Sequence, residues 1–322
     1  MKKKLGELLS LLAALGVFAA LLLAPQAATD GARAGLHLCA RTLIPALFPF
    51  MAASNLLLAL GAPQHLGRAL TPLTRRLFGV GGAGSAAFLL GVSGGYPLGA
   101  ATVAELYRSG AVDREEAGRL LCFCDNSGPA FIVSAVGAAA FGSVRVGGFL
   151  YLVHILAAAA TGLCLRRDPG APSAEAPAAA PLPFPAAFTK SVRTAADTMV
   201  TVCAFVLFFS VLVGILDASG GLFRVSGGIS LRFGTELRFS RALLLGLLEL
   251  GNGATALQGL AVNAKNLALA AFLLGWGGLS VHAQAAAVIM QGGLSPARHG
   301  LSKLAHGFWS ALLVFVLYPL FF

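Results

Sequence analysis

Apolar positions in this chain run in blocks rather than in narrow stripes. Thr198–Ile215 and Ala305–Phe322 are long and nearly free of charge. Such runs match the roughly 20 apolar residues that cross about 30 Å of hydrocarbon as a helix. In lipid each backbone N–H and C=O must find a partner inside the segment, so the blocks predict helices and no open sheet. The pattern as a whole predicts an all-α integral membrane protein with about seven transmembrane helices plus two re-entrant helical hairpins, in two inverted-topology repeats.

The blocks divide the chain. Residues 1–34 open with Lys2, Lys3 and Lys4 and then an apolar run to Ala24. That run is long for the h-region of a signal peptide, so it predicts a retained N-terminal anchor helix. Residues 35–165 and 188–322 follow one plan used twice. A span preceded by Arg-Thr (Arg41-Thr42, Arg193-Thr194) leads to a loop with arginines (Arg68, Arg75 and Arg76; Arg224, Arg232, Arg238 and Arg241). A Gly-rich apolar stretch comes next, then a span with a polar break, then a plain terminal span. Between the halves, residues 166–187 are rich in Ala and Pro and read as an extended cytoplasmic linker.

The Gly-rich stretches are the informative ones. Leu77–Ala104 has no charged residue, and Gly94-Gly95-Tyr96-Pro97 stands at its centre. Gly and Pro are poor in helix interiors, so the stretch predicts a hairpin that enters, turns and leaves. Its counterpart Ala242–Ala264 carries Glu249 and Asn252 at the corresponding place. Non-helical backbone at depth requires burial in protein or a wet cavity. The breaks in the following spans are Asp125-Asn126-Ser127-Gly128-Pro129 and Gly277-Gly278-Leu279-Ser280-Val281-His282, with Gln284 just beyond. Asn126 or Ser127 would cap a new half-helix whose free N–H groups suit an anion or polar ligand; the competing reading is a Pro kink braced by its own side chains. Glu249, the single charge in its stretch, is a candidate ligand, proton or cation site, since an ionisable group inside a membrane is costly; the alternative is a brace within the hairpin.

Composition agrees with the pattern. The chain is 57% hydrophobic and 11% charged, against about 25% charged in soluble domains. The net charge of +10 reads as basic membrane loops rather than nucleic-acid binding, since no basic stripe is interleaved with aromatics. An N-terminus in the cytoplasm places about two thirds of the Lys and Arg on that side, Arg298 and Lys303 included, which has the sign of the positive-inside rule. Cys39, Cys122, Cys124, Cys164 and Cys203 lack metal or disulfide spacing and read as small hydrophobes. His282 has no second ligand in spacing, so no metal site is expected. No phosphate loop, catalytic triad or nucleophile–base pair is present, and an enzyme is not expected.

Several motifs together resemble one family. Gly94-Gly-Tyr-Pro-Leu-Gly99, Glu115-Glu-Ala-Gly-Arg-Leu-Leu121 and Phe123-Cys-Asp-Asn-Ser-Gly-Pro-Ala-Phe131 are similar to signatures of the YlbJ-like sporulation integral membrane proteins. Pro45-Ala-Leu-Phe-Pro-Phe50 and Gly277-Gly-Leu-Ser-Val-His-Ala-Gln284 extend the resemblance from about residue 35 to the C-terminus. It implies a nucleoside-recognition, or gate, domain related to pieces of concentrative nucleoside transporters and ferrous-iron transport proteins. It also implies a role in endospore formation around the cortex stage. The family pattern carries a neutral residue where this chain has Asp125, so the acid is a candidate cation or proton site.

The expectation is therefore a multi-pass protein of the cell membrane that binds or transports a small polar, nucleoside-like solute at the bilayer midplane. Candidate ligand-binding residues are Tyr96, Asp125, Asn126, Ser127, Glu249, Asn252, Ser280, His282 and Gln284. No cofactor is expected, with H⁺ or Na⁺ as candidate coupling ion. Candidate partners besides the bilayer are a second copy of the chain and other sporulation membrane proteins. The rival expectation is a non-transporting sporulation scaffold for protein partners.

Overall fold

A computed structural model describes residues 2–166 and 182–322. Most of the expected linker at 166–187 lies outside the described residues. Helix α1 (Lys2–Leu23) stops where Pro25 forces Ala24 out of the helical region (φ −131°, ψ 55°). Pro25 then starts α2 (Pro25–Leu38), a favoured first-turn position for proline. The boundary placed at residue 34 falls inside α2. The chain continues through a π-helical turn, Cys39–Leu43, into α3 (Ile44–Ala59).

From there the described elements fall into two similar series. The first is α4 (Ala62–Phe78), α5 (Gly82–Gly94), α6 (Leu98–Arg108), α7 (Arg114–Cys124), a π-helical segment Ala130–Ala140, and α8 (Val144–Cys164). The second is α9 (Phe184–Ala218), α10 (Gly221–Phe233), α11 (Leu237–Leu248), α12 (Leu250–Ala256), α13 (Ala264–Trp276), α14 (Gly278–Gln291) and α15 (Ala297–Phe321). Hairpin α5–α6 corresponds to hairpin α11–α12. The broken unit of α7 and its π-helical continuation corresponds to α13–α14.

Among the described residues, six helices are long and apolar enough to cross a bilayer: Leu5–Leu23, Pro25–Leu57, Val144–Cys164, Phe184–Ala218, Ala264–Gln291 and Ala297–Phe321. The pair Ala69–Phe78 and Gly82–Gly94, bent by 92°, passes the same test taken together. Between the two hairpins lie the broken α7 unit, α8 and α9; with α7 and its continuation counted as one crossing the number is odd, the arrangement of hairpins that enter from opposite faces. Large apolar side chains remain exposed along the spans, among them Val200, Leu301, Phe308 and Leu320; they form the surface that lipid covers.

The two arginine-bearing loops expected after the first span of each half are helices instead. Helix α4 meets α5 at 92°, so it runs across the direction in which the hairpin enters. Both α4 and α10 are bounded at each end by a left-handed glycine: Gly61 and Gly79 (φ 84° and 65°), Gly220 and Gly234 (φ 71° and 62°). A residue with a Cβ is strained there. In α10, exposed Phe223, Val225 and Leu231 accompany Arg224 and Arg232, the composition of a helix lying at a membrane interface.

Without water to drive helix association, close packing depends on small residues. Gly31 and Gly35 of α2 face Ser210 of α9, where a Cβ on Gly31 would stand 2.7 Å from the Ser210 carbonyl. Gly275 of α13 meets Gly307 of α15 the same way, at 2.8 Å. Three of the five cysteines, Cys39, Cys122 and Cys124, are buried as expected; Cys203 is half-buried, and Cys164 is exposed at the end of α8.

Candidate functional site

Each hairpin turns at its polar break. In the first half the turn is Gly95-Tyr96-Pro97, with a cis Tyr96–Pro97 peptide bond. In the second it is Glu249, alone in extended conformation between α11 and α12. Each turn lies across the break in the broken helix of its own half. Gly95 packs on Gly128 (3.0 Å from a Cβ position to the Gly128 nitrogen), and Gly278 packs on Glu249 and Leu250 (3.3 and 3.0 Å). The fit in the first half is tight. A Cβ on Gly91 would fall 1.5 Å, and on Gly99 2.1 Å, from the carbonyl oxygen of Cys124. The last carbonyl of α7 thus passes between the two arms of the hairpin, where only glycine fits.

The two crossings face each other across a small cavity of about 50 Å³. It is lined by Tyr96, Ser127 and Gly128 from the first half, by Glu249, Gly251 and Gln284 from the second, and by apolar residues including Leu43, Phe131 and Val206. Tyr96 joins the halves, since its hydroxyl donates to the Leu274 carbonyl at 3.2 Å. Four predicted site residues therefore meet at one place: Tyr96, Ser127, Glu249 and Gln284. A cavity of this size has room for a few water molecules, far less than the several hundred Å³ of a typical ligand pocket.

Glu249 is buried and fully engaged within its hairpin. Oε1 accepts from the Gly251 N–H at 2.9 Å, and Oε2 accepts from the Asn252 N–H at 2.6 Å and from Asn252 Nδ2 at 2.9 Å. The carboxylate caps α12, at the end of a helix that favours negative charge. Asn252 also donates to Ser210 Oγ on α9 at 2.8 Å and so tethers the hairpin to that span instead of lining the cavity.

The other predicted residues are placed differently. Asn126 or Ser127 was expected to cap the half-helix after the break; Asn126 Nδ2 instead donates to the Phe123 carbonyl at 2.8 Å and closes α7 from behind. Pro129 occupies the cap position of the π-helical segment, with no side-chain bond. The Ser127 N–H donates to His154 Nε2 at 3.0 Å, so the half-helix end is already partly satisfied. Ser280 is buried and accepts from Gln284 Nε2 at 3.3 Å. His282 packs tilted against Trp276, 4.2 Å between ring centroids, and meets His299 edge to face at 5.7 Å. Ser280 and His282 stand behind the cavity wall rather than in it.

Asp125 also points away from the cavity, into a buried polar network that sequence reasoning did not anticipate. Oδ2 meets His299 Nε2 at 2.9 Å, and Oδ1 accepts from the Ala100 N–H at 3.1 Å. Lys303, counted above as a cytoplasmic surface charge, is completely buried. Its ammonium donates to the Asp125 carbonyl and to His306 Nδ1 at 3.2 Å, and lies 5.4 Å from the Tyr96 ring centroid. An ammonium has no acceptor, so His306 Nδ1 must accept and its Nε2 carries the hydrogen bonded to the His154 carbonyl at 3.1 Å. His154 accepts on Nε2, so its hydrogen is on Nδ1. The signal for these residues is in the sequence: His299, Lys303, His306 and Ser310 recur every three or four residues along α15 and are all buried. No cluster of side chains suited to a metal ion occurs among the described residues.

Comparisons with known proteins agree with this architecture. Residues 40–162 match the family model "Gate: Nucleoside recognition". The sporulation integral membrane protein YlbJ of Bacillus subtilis (strain 168) is 27% identical over 92% of this chain and 79% of its own length. Among solved structures, CNTnw in an inward-facing substrate-bound state matches with TM-score 0.52 at 15% identity, covering 99% of this chain and 84% of that one. A CNTnw variant in an outward-facing state gives 0.53 at 17% identity, covering 99% and 85%; the fold is shared with both states and does not single out either. The chain is thus a multi-pass membrane protein whose residues 40–162 match the Gate nucleoside-recognition model and which is similar along most of its length to a sporulation integral membrane protein.

Proposed function

We propose that the protein is a transporter-like membrane protein of endospore formation that binds a small polar, nucleoside-like solute between its two hairpin turns. The observation that carries the reading is the convergence of both turns and both helix breaks on one cavity, with Tyr96, Ser127, Glu249 and Gln284 around it. Broken helices that meet at the centre of repeated halves are the usual site architecture of secondary transporters. The relatives supply the remainder: a Gate model described as nucleoside recognition, and a sporulation protein matched over 92% of this chain and 79% of its own length. In this reading the small cavity is a closed state that opens to admit solute, Glu249 is the carboxylate through which H⁺ or Na⁺ couples, and the N-terminus is cytoplasmic.

The test is thermal unfolding of the detergent-solubilised protein against nucleosides, bases, Na⁺ and pH. A ligand that binds only the folded state at 100 times its Kd adds about 2.7 kcal/mol. A shift with a nucleoside that disappears in Gln284→Ala supports the site, and uptake into liposomes then tests movement.

A second reading has its own observation. Glu249 and Asp125 are satisfied by their own surroundings, as in a braced scaffold that binds nothing at the breaks. No shift with any solute, together with a sporulation defect confined to surface substitutions, favours that alternative.

A further inference from the structure

Lysine is among the residues least often buried, and an unpaired buried charge is costly. Lys303 is buried to the last atom, and a methionine would fill similar space, so the amine itself needs a reason. Its surroundings give one. The ammonium sits at the C-terminal end of α7, where unpaired carbonyls carry the negative end of the helix dipole. It donates to the Asp125 carbonyl and to His306 Nδ1, and the face of Tyr96 lies 5.4 Å away. A backbone carbonyl, a neutral imidazole nitrogen and a ring face are together a coordination shell for a monovalent cation. The Asp125 carboxylate, meanwhile, bonds His299 and the Ala100 N–H.

We propose that Lys303 is a tethered cation: its ammonium permanently occupies a monovalent-cation site built from the Asp125 carbonyl, His306 and Tyr96, so the first-half break takes no exchangeable ion. Asp125 is then not a Na⁺ site, although its sequence position suggested one. The same amine touches the break and the hairpin turn from a third element, α15, and positions both. The assignment goes beyond the proposed solute site and does not depend on it, because its readout involves no solute.

The experiment measures the thermal midpoint of the full-length, detergent-solubilised protein in sodium chloride and in choline chloride at equal ionic strength. It then compares Lys303→Ala with and without methylammonium chloride, an untethered copy of the side-chain head. Expected are a sodium-minus-choline difference in midpoint that Asp125→Asn leaves unchanged, a clearly lowered midpoint in Lys303→Ala, and recovery of most of that loss by methylammonium but not by tetramethylammonium. A wild-type midpoint that rises in sodium, with the rise abolished by Asp125→Asn, overturns the proposal. So does a Lys303→Ala protein indifferent to methylammonium, or a Lys303→Met protein as stable as wild type. If the Lys303 variants fail to accumulate, the wild-type salt comparison with Asp125→Asn decides alone.

Discussion

The Tyr96 hydroxyl donates to the Leu274 carbonyl across 3.2 Å and 178 positions of sequence. This bond joins the hairpin turn of the first half to the broken helix of the second, three residues before its break at Gly277. Tyr96→Phe removes the bond but keeps the ring beside Lys303, and it leaves the Leu274 carbonyl without that donor. The expected loss is about 1–3 kcal/mol, read as a lowered midpoint in detergent with normal accumulation in membranes.

Gly91 and Gly99 admit no side chain. A Cβ would stand 1.5 or 2.1 Å from the Cys124 oxygen, so Gly91→Ala or Gly99→Ala must push the hairpin off α7. Both variants are expected to accumulate poorly. Gly148→Ala is the control: it lies within α8 with nothing within 4 Å of its Cβ position, and it should be neutral or stabilising by up to about 1 kcal/mol. Membrane-fraction yields of the three variants, measured side by side, check the contrast.

Glu249→Gln replaces one accepting oxygen with a donor facing backbone or amide N–H groups. A loss of about 1–3 kcal/mol is expected, and Glu249→Ala, which also leaves Asn252 without its carboxylate partner, should cost more. Under the transport reading Glu249→Gln also loses ion-dependent uptake at temperatures where it is folded. Unfolding and uptake measured on one preparation separate the two effects.

Arg241 and Asp217 form a two-pronged ion pair at 2.8 and 2.9 Å, but both side chains are about two-fifths exposed. Such pairs contribute about 0–1 kcal/mol. Arg241→Ala should therefore lower the unfolding midpoint only slightly, and the difference from wild type should shrink further as salt is raised.

Orientation has a direct probe. Cys164 is exposed and close to the linker, while Cys39, Cys122 and Cys124 are buried. A membrane-impermeant maleimide should label Cys164 in inside-out vesicles and not in intact cells if the linker and N-terminus are cytoplasmic; the reverse pattern inverts the topology.

Much of the fold is legible in the sequence because glycine and proline stand out against lipid-facing residues. Gly94-Gly95-Tyr96-Pro97 and Asp125–Pro129 break helices for local reasons, and local reasons can be read from a linear string. Helices α4 and α10 were misread as loops because their arginines suggested water, whereas both are helices bounded by left-handed glycines, and a 92° turn into α5 lays α4 across the first hairpin. The cavity residues Tyr96, Ser127, Glu249 and Gln284 were legible as polar groups in apolar surroundings. Lys303 was not, because near the start of an apolar run it counts as a surface charge unless its three- and four-residue spacing with His299, His306 and Ser310 is noticed. Nor does sequence say which way a side chain turns. Asp125 and Asn126 adjoin Ser127, yet both face away from the cavity.

The passage of the Cys124 carbonyl between Gly91 and Gly99 limits how this molecule can move. A peg held on two sides by backbone cannot slide, so the first hairpin and α7 travel as one piece, like a key and its barrel. Any rearrangement that opens the cavity has to take its play from elsewhere. Gly61 and Gly79 around α4 offer it, and Gly220 and Gly234 around α10 offer the same to the other half. Helix α4, crosswise to α5, is then the leaf hinge of the locked first assembly.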